Sequence, residues 1–282
     1  MPRLALWNRP WGRPLPSPLI PPVPRSLLIE EVEALGPRNR LLRQGPFEVL
    51  LARANHVPAL LLEVGRVREL TFRAVDEGTG RSFDLDRFDE HYEQLILWDH
   101  ERGAVAGGYR MVKVTEEHTR WGSNGLYTAT LFRMDPQLFR ALGPALELGR
   151  SFVHPDYQRR PHSLLLLWKG IGRYLERHPE CRVLFGPVSI AGSYPPQARS
   201  AITGFLRQEV AAGKTLRQHV KARRPPKTPW NFSSQAAPVQ TIEEIDALVR
   251  SSGGPGAERG IPVLLRQYLK LGGRVLACSV DP

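Results

Sequence analysis

Cysteine is scarce in this 282-residue chain, and long apolar runs are absent. Cys181 and Cys278 are too few for a disulfide framework or a four-cysteine metal site, and neither belongs to a Cys-x-x-Cys pair. The longest apolar run, Leu164–Trp168, is far too short to cross a bilayer. The N-terminal stretch carries prolines where a signal peptide needs an apolar helix. The sequence therefore predicts a cytoplasmic protein whose cysteines are ordinary packed residues.

The motifs of several enzyme classes are also missing. No Gly-x-x-x-x-Gly-Lys loop occurs, and Gly170-Ile171-Gly172 lacks a third glycine and lies inside a predicted helix, which argues against nucleotide binding. No Gly-x-Ser-x-Gly elbow is present. The eight histidines lack paired ligand spacing, and none begins the His-x-x-x-x-Asp motif of glycerolipid O-acyltransferases. We expect no metal site and no permanently bound cofactor.

Basic residues are plentiful, with 39 Lys and Arg against 28 Asp and Glu, a net charge of +11. This charge favours a polyanionic partner such as nucleic acid, an anionic membrane surface or an acidic carrier protein. Within residues 199–227 a single acid, Glu209, accompanies the basic residues Arg199, Arg207, Lys214, Arg217, Lys221, Arg223, Arg224 and Lys227. That segment indicates a docking face or, alternatively, a solvated basic helix. Nucleic acid is disfavoured because no aromatic–basic RNA-binding pattern occurs.

Hydrophobic patterning predicts alternating strands and helices after an irregular arm, residues 1–26. The predicted strands are 47–51, 94–98, 104–114, 126–132, 145–153, 183–185 and 274–280. The predicted helices are 60–71, a short one opening at 135–136, 164–175, 196–212, 241–250 and 261–271. Antiparallel hairpins followed by a β–α–β crossover predict one α/β domain, 27–282, with a basic helical insertion around 196–260.

A charge pair interrupts the apolar strand 145–153. Glu147 and Arg150 would point to opposite faces of a regular strand, but Gly149 between them is a suitable site for a bulge that brings both toward one cleft. Burying two charges at a strand–helix junction is costly. The pair therefore predicts a functional site, and a buried structural ion pair is the alternative.

Several further motifs, taken in chain order with this pair, resemble a known family. Two of them, Asp86 and Asp89, lie in an acidic cluster that also contains Asp84. The full set is Arg73, Asp86, Asp89, Leu97-Trp98, Gly108-Tyr109-Arg110, Glu147-x-x-Arg150, Val153, Leu166–Ile171, Phe185–Ile190 and Ile261–Gly273. This succession resembles the acyl-homoserine-lactone synthases and, more closely, the ornithine lipid N-acyltransferases, which are haemolysin-like proteins with a GNAT-like fold. The resemblance runs from about residue 47 to the end of the sequence.

The resemblance implies a mixed, mostly antiparallel central sheet flanked by helices. It also implies an enzyme that transfers a fatty acyl group from acyl carrier protein to the amine of ornithine or a similar amino acid, the first step of amino-acid-containing lipid biosynthesis. The loop 158–163 has Pro161 and lacks the glycines that hold the pyrophosphate of coenzyme A in GNAT acetyltransferases. This loop favours the single phosphate of a phosphopantetheine arm, and the lipid product is compatible with peripheral contact at the inner membrane surface.

Amide formation needs a neutral amine on the acceptor. Glu147 is the hypothetical base that takes the ammonium proton, directly or through water. Arg150 and Arg110 are assigned to bind the acceptor carboxylate, because a guanidinium binds a carboxylate in a bidentate manner. The alternative role for both arginines is to hold Glu147 ionised. Asp86 and Asp89 are assigned to substrate binding.

The donor side needs a polarised thioester and a protonated thiol. Backbone N–H groups near Phe152 and Val153 are assigned to the carbonyl, and Tyr194, or else Ser193, to protonating the thiolate. The remaining residues assigned to the pantetheine phosphate or the carrier are Arg73, Arg159, Arg160 and Ser163.

Two other functions remain open at the level of sequence. One is a signal synthase that makes an acylated lactone from S-adenosylmethionine. The other is a catalytically idle, basic module that binds nucleic acid or an anionic membrane, which the charge and the missing loop glycines favour.

Overall fold

The computed structural model describes residues 15–114, 125–158, 162–226, 239–254 and 256–281, which contain eight strands. In chain order the strands are β1 (Arg40–Gln44), β2 (Phe47–Arg53), β3 (Glu93–Asp99), β4 (Ala104–Val114), β5 (Phe132–Met134), β6 (Ala145–Val153), β7 (Val183–Phe185) and β8 (Val220–Ala222). Six of them form one sheet in the order β1-β2-β3-β4-β6-β7, and β5 pairs with β8 separately. Every pairing is antiparallel except the parallel pair β6–β7.

Helices cover both faces of the six-stranded sheet. The described helices are α1 (Arg25–Ala34), α2 (Pro58–Arg73), α3 (Thr128–Leu131), α4 (Pro136–Leu142), α5 (His162–Arg177), α6 (Pro196–Gln208), α7 (Lys214–Arg217), α8 (Ile242–Ser251) and α9 (Val263–Lys270). Within the described parts of the chain, no helix combines the length and the apolar composition needed to cross a membrane. This architecture confirms the expected mixed, mostly antiparallel sheet flanked by helices.

Strand alternation sorts the core into two layers. Leu95 and Leu97 of β3 pack with α5, whereas Ile96 and Trp98 of the same strand pack with α1 and α2. Because successive side chains of a strand point to opposite faces, one apolar run serves both layers. A third apolar cluster joins α6, α8 and α9 beside the sheet.

Most predicted elements are confirmed, and three regions differ. Residues 25–44 form α1 and β1, although the sequence predicted no element there and extended the irregular arm to residue 26. Only Leu28 and Val32 of α1 and Leu41 of β1 are buried, so the hydrophobic periodicity is weak. Residues 15–24 have no regular secondary structure, and the rest of the predicted arm, 1–14, lies outside the described residues.

The strand predicted for 126–132 is wrong, because residues 128–131 form the helical turn α3. Its first amide, that of Thr128, donates to the Glu147 carboxylate, a tertiary contact that overrides local preference for a strand. The strand predicted for 274–280 is also wrong, because the described segment contributes only the isolated bridge of Val275 with Ala211. The predicted domain limits stay a prediction.

Gly186 lets the chain leave β7 close to β6. A Cβ added there would lie 2.0 Å from the Leu148 carbonyl oxygen, so Gly186→Ala should lower the free energy of unfolding by about 1–3 kcal/mol. Chemical denaturation measures this loss. Gly172→Ala is the matched control, because Gly172 is exposed on α5 with open space around it and alanine should stabilise a helix by about 0.5–1 kcal/mol. Equal effects of the two substitutions would contradict the close approach.

Candidate active site

The parallel strands β6 and β7 part in the middle of β6. Their pairing ends at Glu147 and Phe185, whereas β6 continues to Val153. On its other edge, β6 is paired with β4 along this continuation, and Gly108 lies opposite Phe152. The separation leaves one edge of β6 beyond Leu148 without a described partner strand, which is an opening between β6 and the edge strand β7.

A bulge distorts β6 at the same place. Arg110 pairs with Gly149 and Gly108 with Phe152, so Arg150 and Ser151 together face Tyr109. A bulge was expected at Gly149, but Gly149 keeps Arg110 as its partner and the bulge lies one position later, at Arg150 and Ser151. The left-handed backbone likewise falls on Arg150, at φ 48°. Glu147 and Arg150 consequently reach the same short segment, since Glu147 accepts from the Thr128 amide and Arg150 donates to the Tyr127 hydroxyl. The alternative of an ion pair between Glu147 and Arg150 is not seen among the described contacts.

Glu147 is fully buried, and both of its oxygens accept hydrogen bonds. The Thr128 amide donates to Oε1 at 2.6 Å, and the Tyr92 hydroxyl donates to Oε2. The Tyr92 hydroxyl in turn accepts from the Tyr127 amide at 2.8 Å. Burial and the neighbouring Glu147 charge raise the pKa of Tyr92. This carboxylate therefore fixes the start of α3, whatever its chemical role.

Arg110 is also fully buried, and two aspartates accept hydrogen bonds from its terminal nitrogens, whereas its Nε has no described hydrogen-bond partner. Its guanidinium donates to both oxygens of Asp86 at 2.7 and 3.0 Å and to Asp89 at 3.1 Å. Burial by itself lowers the pKa of Arg110, but the hydrogen bond to Asp86 and the charge of Asp89 outweigh it and raise the pKa. The rings of Phe88, Tyr92 and Tyr127 enclose the guanidinium, with centroids 5.6, 5.3 and 4.9 Å from Cζ.

Arg68 extends this network into α2. It donates to Asp89 at 2.7 Å and to Gln94 at 2.6 Å, and all three side chains are buried. Burial raises the pKa of Asp89, but the charges of Arg68 and Arg110 prevail and lower it. The substrate-binding roles of Arg110, Asp86 and Asp89 stay predictions, and in the structure these residues bind each other.

Arg150 is the arginine of this region that reaches the surface, with 21% of its side chain exposed. Its Nε lies 3.1 Å from Asp84 Oδ2 and its Nη2 lies 3.7 Å from Asp86 Oδ2. Its guanidinium also stacks 4.9 Å from the centroid of the Tyr127 ring. Nearby, Glu77 accepts from the Ser189 hydroxyl at 2.7 Å, and burial raises the pKa of Glu77.

The other predicted site residues are placed as follows. Arg73, at the end of α2, donates to Glu69 at 2.7 Å and to the Arg81 carbonyl, and so fastens a loop. The Tyr194 hydroxyl donates to the Gly260 carbonyl at 2.9 Å inside the third apolar cluster. Ser163 is buried and donates to the Tyr157 carbonyl at 3.3 Å. Arg159 and Arg160 lie outside the described residues.

Phe152 and Val153 differ in the direction of their backbone groups. The His154 amide donates to the Ala106 carbonyl on β4 at 2.9 Å. Because backbone groups alternate along a strand, the amide of Val153 points to the opposite edge, where β6 has parted from β7. Of the two predicted carbonyl-polarising amides, Val153 is therefore the one that faces the opening. The side chain of Phe152 packs in the layer next to α2.

Sequence reasoning missed Arg68, Tyr92, Tyr127 and any specific role for Asp84. Tyr92 and Tyr127 are 35 residues apart and meet only through tertiary contacts. Asp84 carried a weak signal as one acid of a cluster, which is usually a solvated loop. In the structure it is buried, and neither carboxylate oxygen has a described hydrogen-bond partner.

The residues of this site lie within the part of the chain that matches a known protein family. Residues 67–169 match the family described as acetyltransferase (GNAT) domain. The matched segment spans the acidic cluster, β3, β4 and β6, and it includes Glu147 and Arg150.

Three named relatives are similar to the chain. A glycine N(alpha)-acyltransferase of Bacteroides thetaiotaomicron is 33% identical over 201 residues, covering 67% of this chain and 59% of that protein. A glycine N(alpha)-acyltransferase of Phocaeicola vulgatus is 31% identical, covering 67% and 61%. An L-ornithine N(alpha)-acyltransferase of Rhodobacter capsulatus is 29% identical, covering 68% and 66%. The chain thus spans about three fifths of the length of the two glycine N(alpha)-acyltransferases.

Proposed function

Because residues 67–169 belong to the acetyltransferase (GNAT) domain family, we propose that the chain is an N-acyltransferase that acts on the amine of an amino acid. The observation that carries the proposal is the opening where β6 parts from β7, with Arg150 on the bulge beside it. The names of the three relatives, which specify glycine or ornithine and the α-amine, support an α-amino acid as the acceptor.

The opening presents a backbone N–H group that could donate a hydrogen bond to the reacting carbonyl. The Val153 amide faces this edge and is held in place by the pairing of β6 with β4. A fixed N–H group aimed at the developing oxyanion stabilises it without reorganisation. A thioester carbonyl bound at the opening would therefore be polarised by Val153.

We further propose acyl carrier protein as the donor and a fatty acyl group as the cargo. The loop 158–163 lacks the glycines of a pyrophosphate cradle, which favours a single phosphate. Seven described basic residues of α6, α7, β8 and the chain that follows are exposed, and their charge is complementary to an acidic carrier: Arg199, Arg207, Lys214, Arg217, Lys221, Arg223 and Arg224. The acylated amino acid would be an amphiphile, which fits a role in lipid synthesis at a membrane surface.

Product analysis tests this function. The purified protein is incubated with palmitoyl carrier protein or palmitoyl coenzyme A and with glycine, ornithine, lysine or serine, and amides are identified by mass spectrometry. We expect an α-amide from the carrier-bound donor. A lactone from S-adenosylmethionine would instead show a signal synthase. Salt-sensitive DNA binding without release of thiol from either donor would show a binding module.

Glu147→Gln tests the base predicted from the sequence. Glutamine presents an NH₂ group where two donors, the Tyr92 hydroxyl and the Thr128 amide, now converge. Loss of the carboxylate should lower kcat by about 10²-fold or more if it takes the ammonium proton. Steady-state kinetics measure the effect, with Glu176→Gln on the outer face of α5 as the control. Full activity in Glu147→Gln would remove Glu147 from the chemistry.

A further inference from the structure

Asp84 is a buried carboxylate that the fold leaves without a hydrogen bond. Its side chain is 1% exposed, and both oxygens lack a described hydrogen-bond partner. Leaving a buried acceptor unsatisfied costs about 1–3 kcal/mol, and more for a charged group. Asp84 is fixed nonetheless, because its amide donates to the Gly65 carbonyl at 2.9 Å. A rigid, unsatisfied anion of this kind is available to a ligand.

The neighbouring carboxylates contrast with Asp84. Glu147 accepts from Tyr92 and Thr128, as described above. Asp86 accepts from Arg110 and from the Phe88 amide, and Asp89 accepts from two arginines, a glutamine and the Asp86 amide. Each of these groups has its hydrogen bonds inside the protein, so Asp84 is the member of this described set that is left for a cationic ligand.

Arg150 is an ion-pair partner of Asp84 whose side chain is partly exposed, at 21% against 1% for Asp84. Its Nε lies 3.1 Å from Asp84 Oδ2 without hydrogen-bond geometry, while part of its side chain reaches solvent. The site thus presents an anion and a cation side by side. An α-amino acid carries the complementary pair, an ammonium and a carboxylate on one carbon.

Resting on the proposed function, we infer that Asp84 binds the ammonium group of the acceptor and takes its proton, while Arg150 turns to pair with the acceptor carboxylate. Neither the relatives' names nor the sequence pattern assigns Asp84 this role. Glu147 then organises the segment 127–128 that holds Arg150 through the Tyr127 hydroxyl.

The proton and electron balance of the step is simple. The ammonium gives one proton to the Asp84 carboxylate, and the freed nitrogen lone pair attacks the thioester carbon. The C–S bond breaks with its electron pair on sulfur as the carbonyl re-forms. The amide nitrogen keeps one of its two remaining protons, and the other goes to the thiolate, so that the products are the amide, the free thiol and a proton on Asp84.

The electrostatics around Asp84 suit a base. Burial, the largest influence, raises the pKa of Asp84, and Asp89 raises it further, against the opposing charges of Arg150 on β6, Arg68 on α2 and Arg110 on β4. A base with a raised pKa captures a proton more readily from an ammonium group. Asp84 works only when ionised, so kcat/KM for the acceptor should rise with pH through its raised pKa.

Asp84→Asn tests the assignment against Asp76→Asn. Asp76 is exposed at φ 60°, which asparagine also adopts, so its replacement makes the same chemical change away from the site. Asp84→Asn should raise the KM for glycine or ornithine by about 10- to 100-fold, because a charge-assisted hydrogen bond is lost. It should also lower kcat by about 10²-fold, because the group that takes the ammonium proton is lost. The KM for the acyl donor should not change, and the limb of the pH profile set by Asp84 should disappear. Asp76→Asn should match the wild type.

A binding measurement separates this inference from the proposed function. Calorimetry compares glycine and ornithine with glycolate, which keeps the carboxylate but lacks the amine. The wild type should prefer the amino acids by about tenfold or more, and Asp84→Asn should lose that preference while its Tm is not lowered. An unchanged preference, or equal losses for donor and acceptor together with a lower Tm, would overturn the inference. A wild type that binds amino acids through Asp84 but forms no amide would refute only the proposed function.

Discussion

Replacing Arg110 with methionine is expected to lower the free energy of unfolding by about 3–5 kcal/mol, the cost of breaking a buried ion pair by removing one partner. Methionine fills similar space but leaves Asp86 and Asp89 without the guanidinium that now holds them at 2.7–3.1 Å. It also leaves three aromatic rings without the cation they enclose. Urea unfolding followed by circular dichroism measures the loss.

Arg173→Met is the control for this substitution. Arg173 lies on α5 and pairs with Glu176 at 2.7 Å, and both side chains are more than half exposed. Such surface pairs contribute about 0–1 kcal/mol, so this variant should unfold almost like the wild type. A loss below about 1 kcal/mol for Arg110→Met would show that the buried network is not needed for stability and would reopen Arg110 as a ligand-binding residue.

Arg150→Ala is expected to lower kcat/KM for the acceptor by about 10²-fold, and Arg150→Lys by about tenfold. Lysine keeps the charge but loses the planar fork that pairs with a carboxylate through two hydrogen bonds. All three residues carry a Cβ, so the strain at φ 48° is the same in each variant and the comparison isolates the guanidinium. Initial rates at varied acceptor concentration, with the donor saturating, measure the change.

The donor side serves as the internal control for the Arg150 variants. The Val153 amide is held by β4 and does not depend on the Arg150 side chain, so the KM for the acyl donor should stay unchanged. A rise confined to the donor KM would move Arg150 from the acceptor to the donor, and unchanged kinetics in Arg150→Ala would remove it from the site.

Much of the fold could be predicted because its elements carry strong periodic patterns. The helix α5 and the strands β3 and β4 were recognisable from their own apolar residues. The elements that were missed depend on tertiary contacts. The α3 turn forms where the Glu147 carboxylate takes the Thr128 amide, and β1 is an edge strand with little buried surface.

The site was predictable in part for the same reason. Glu147 and Arg150 were conspicuous as charges within an apolar strand, and the structure brings both to the segment 127–128. Arg110, Asp86 and Asp89 were also singled out, but their pairing with one another depends on tertiary contacts that the sequence does not reveal. Asp84 could not be distinguished from its acidic neighbours, because what sets it apart is the absence of a partner in three dimensions.

The left-handed backbone at Arg150 places stability and activity in opposition at a single position. Glycine adopts φ 48° without a Cβ penalty, whereas any other L-residue gives up about 1 kcal/mol or more there. A screen that selects for thermal resistance should therefore favour glycine at position 150, and a screen that selects for product should favour arginine. The backbone strain at Arg150 therefore lowers the stability of the protein, and the function of the arginine side chain accounts for its presence there.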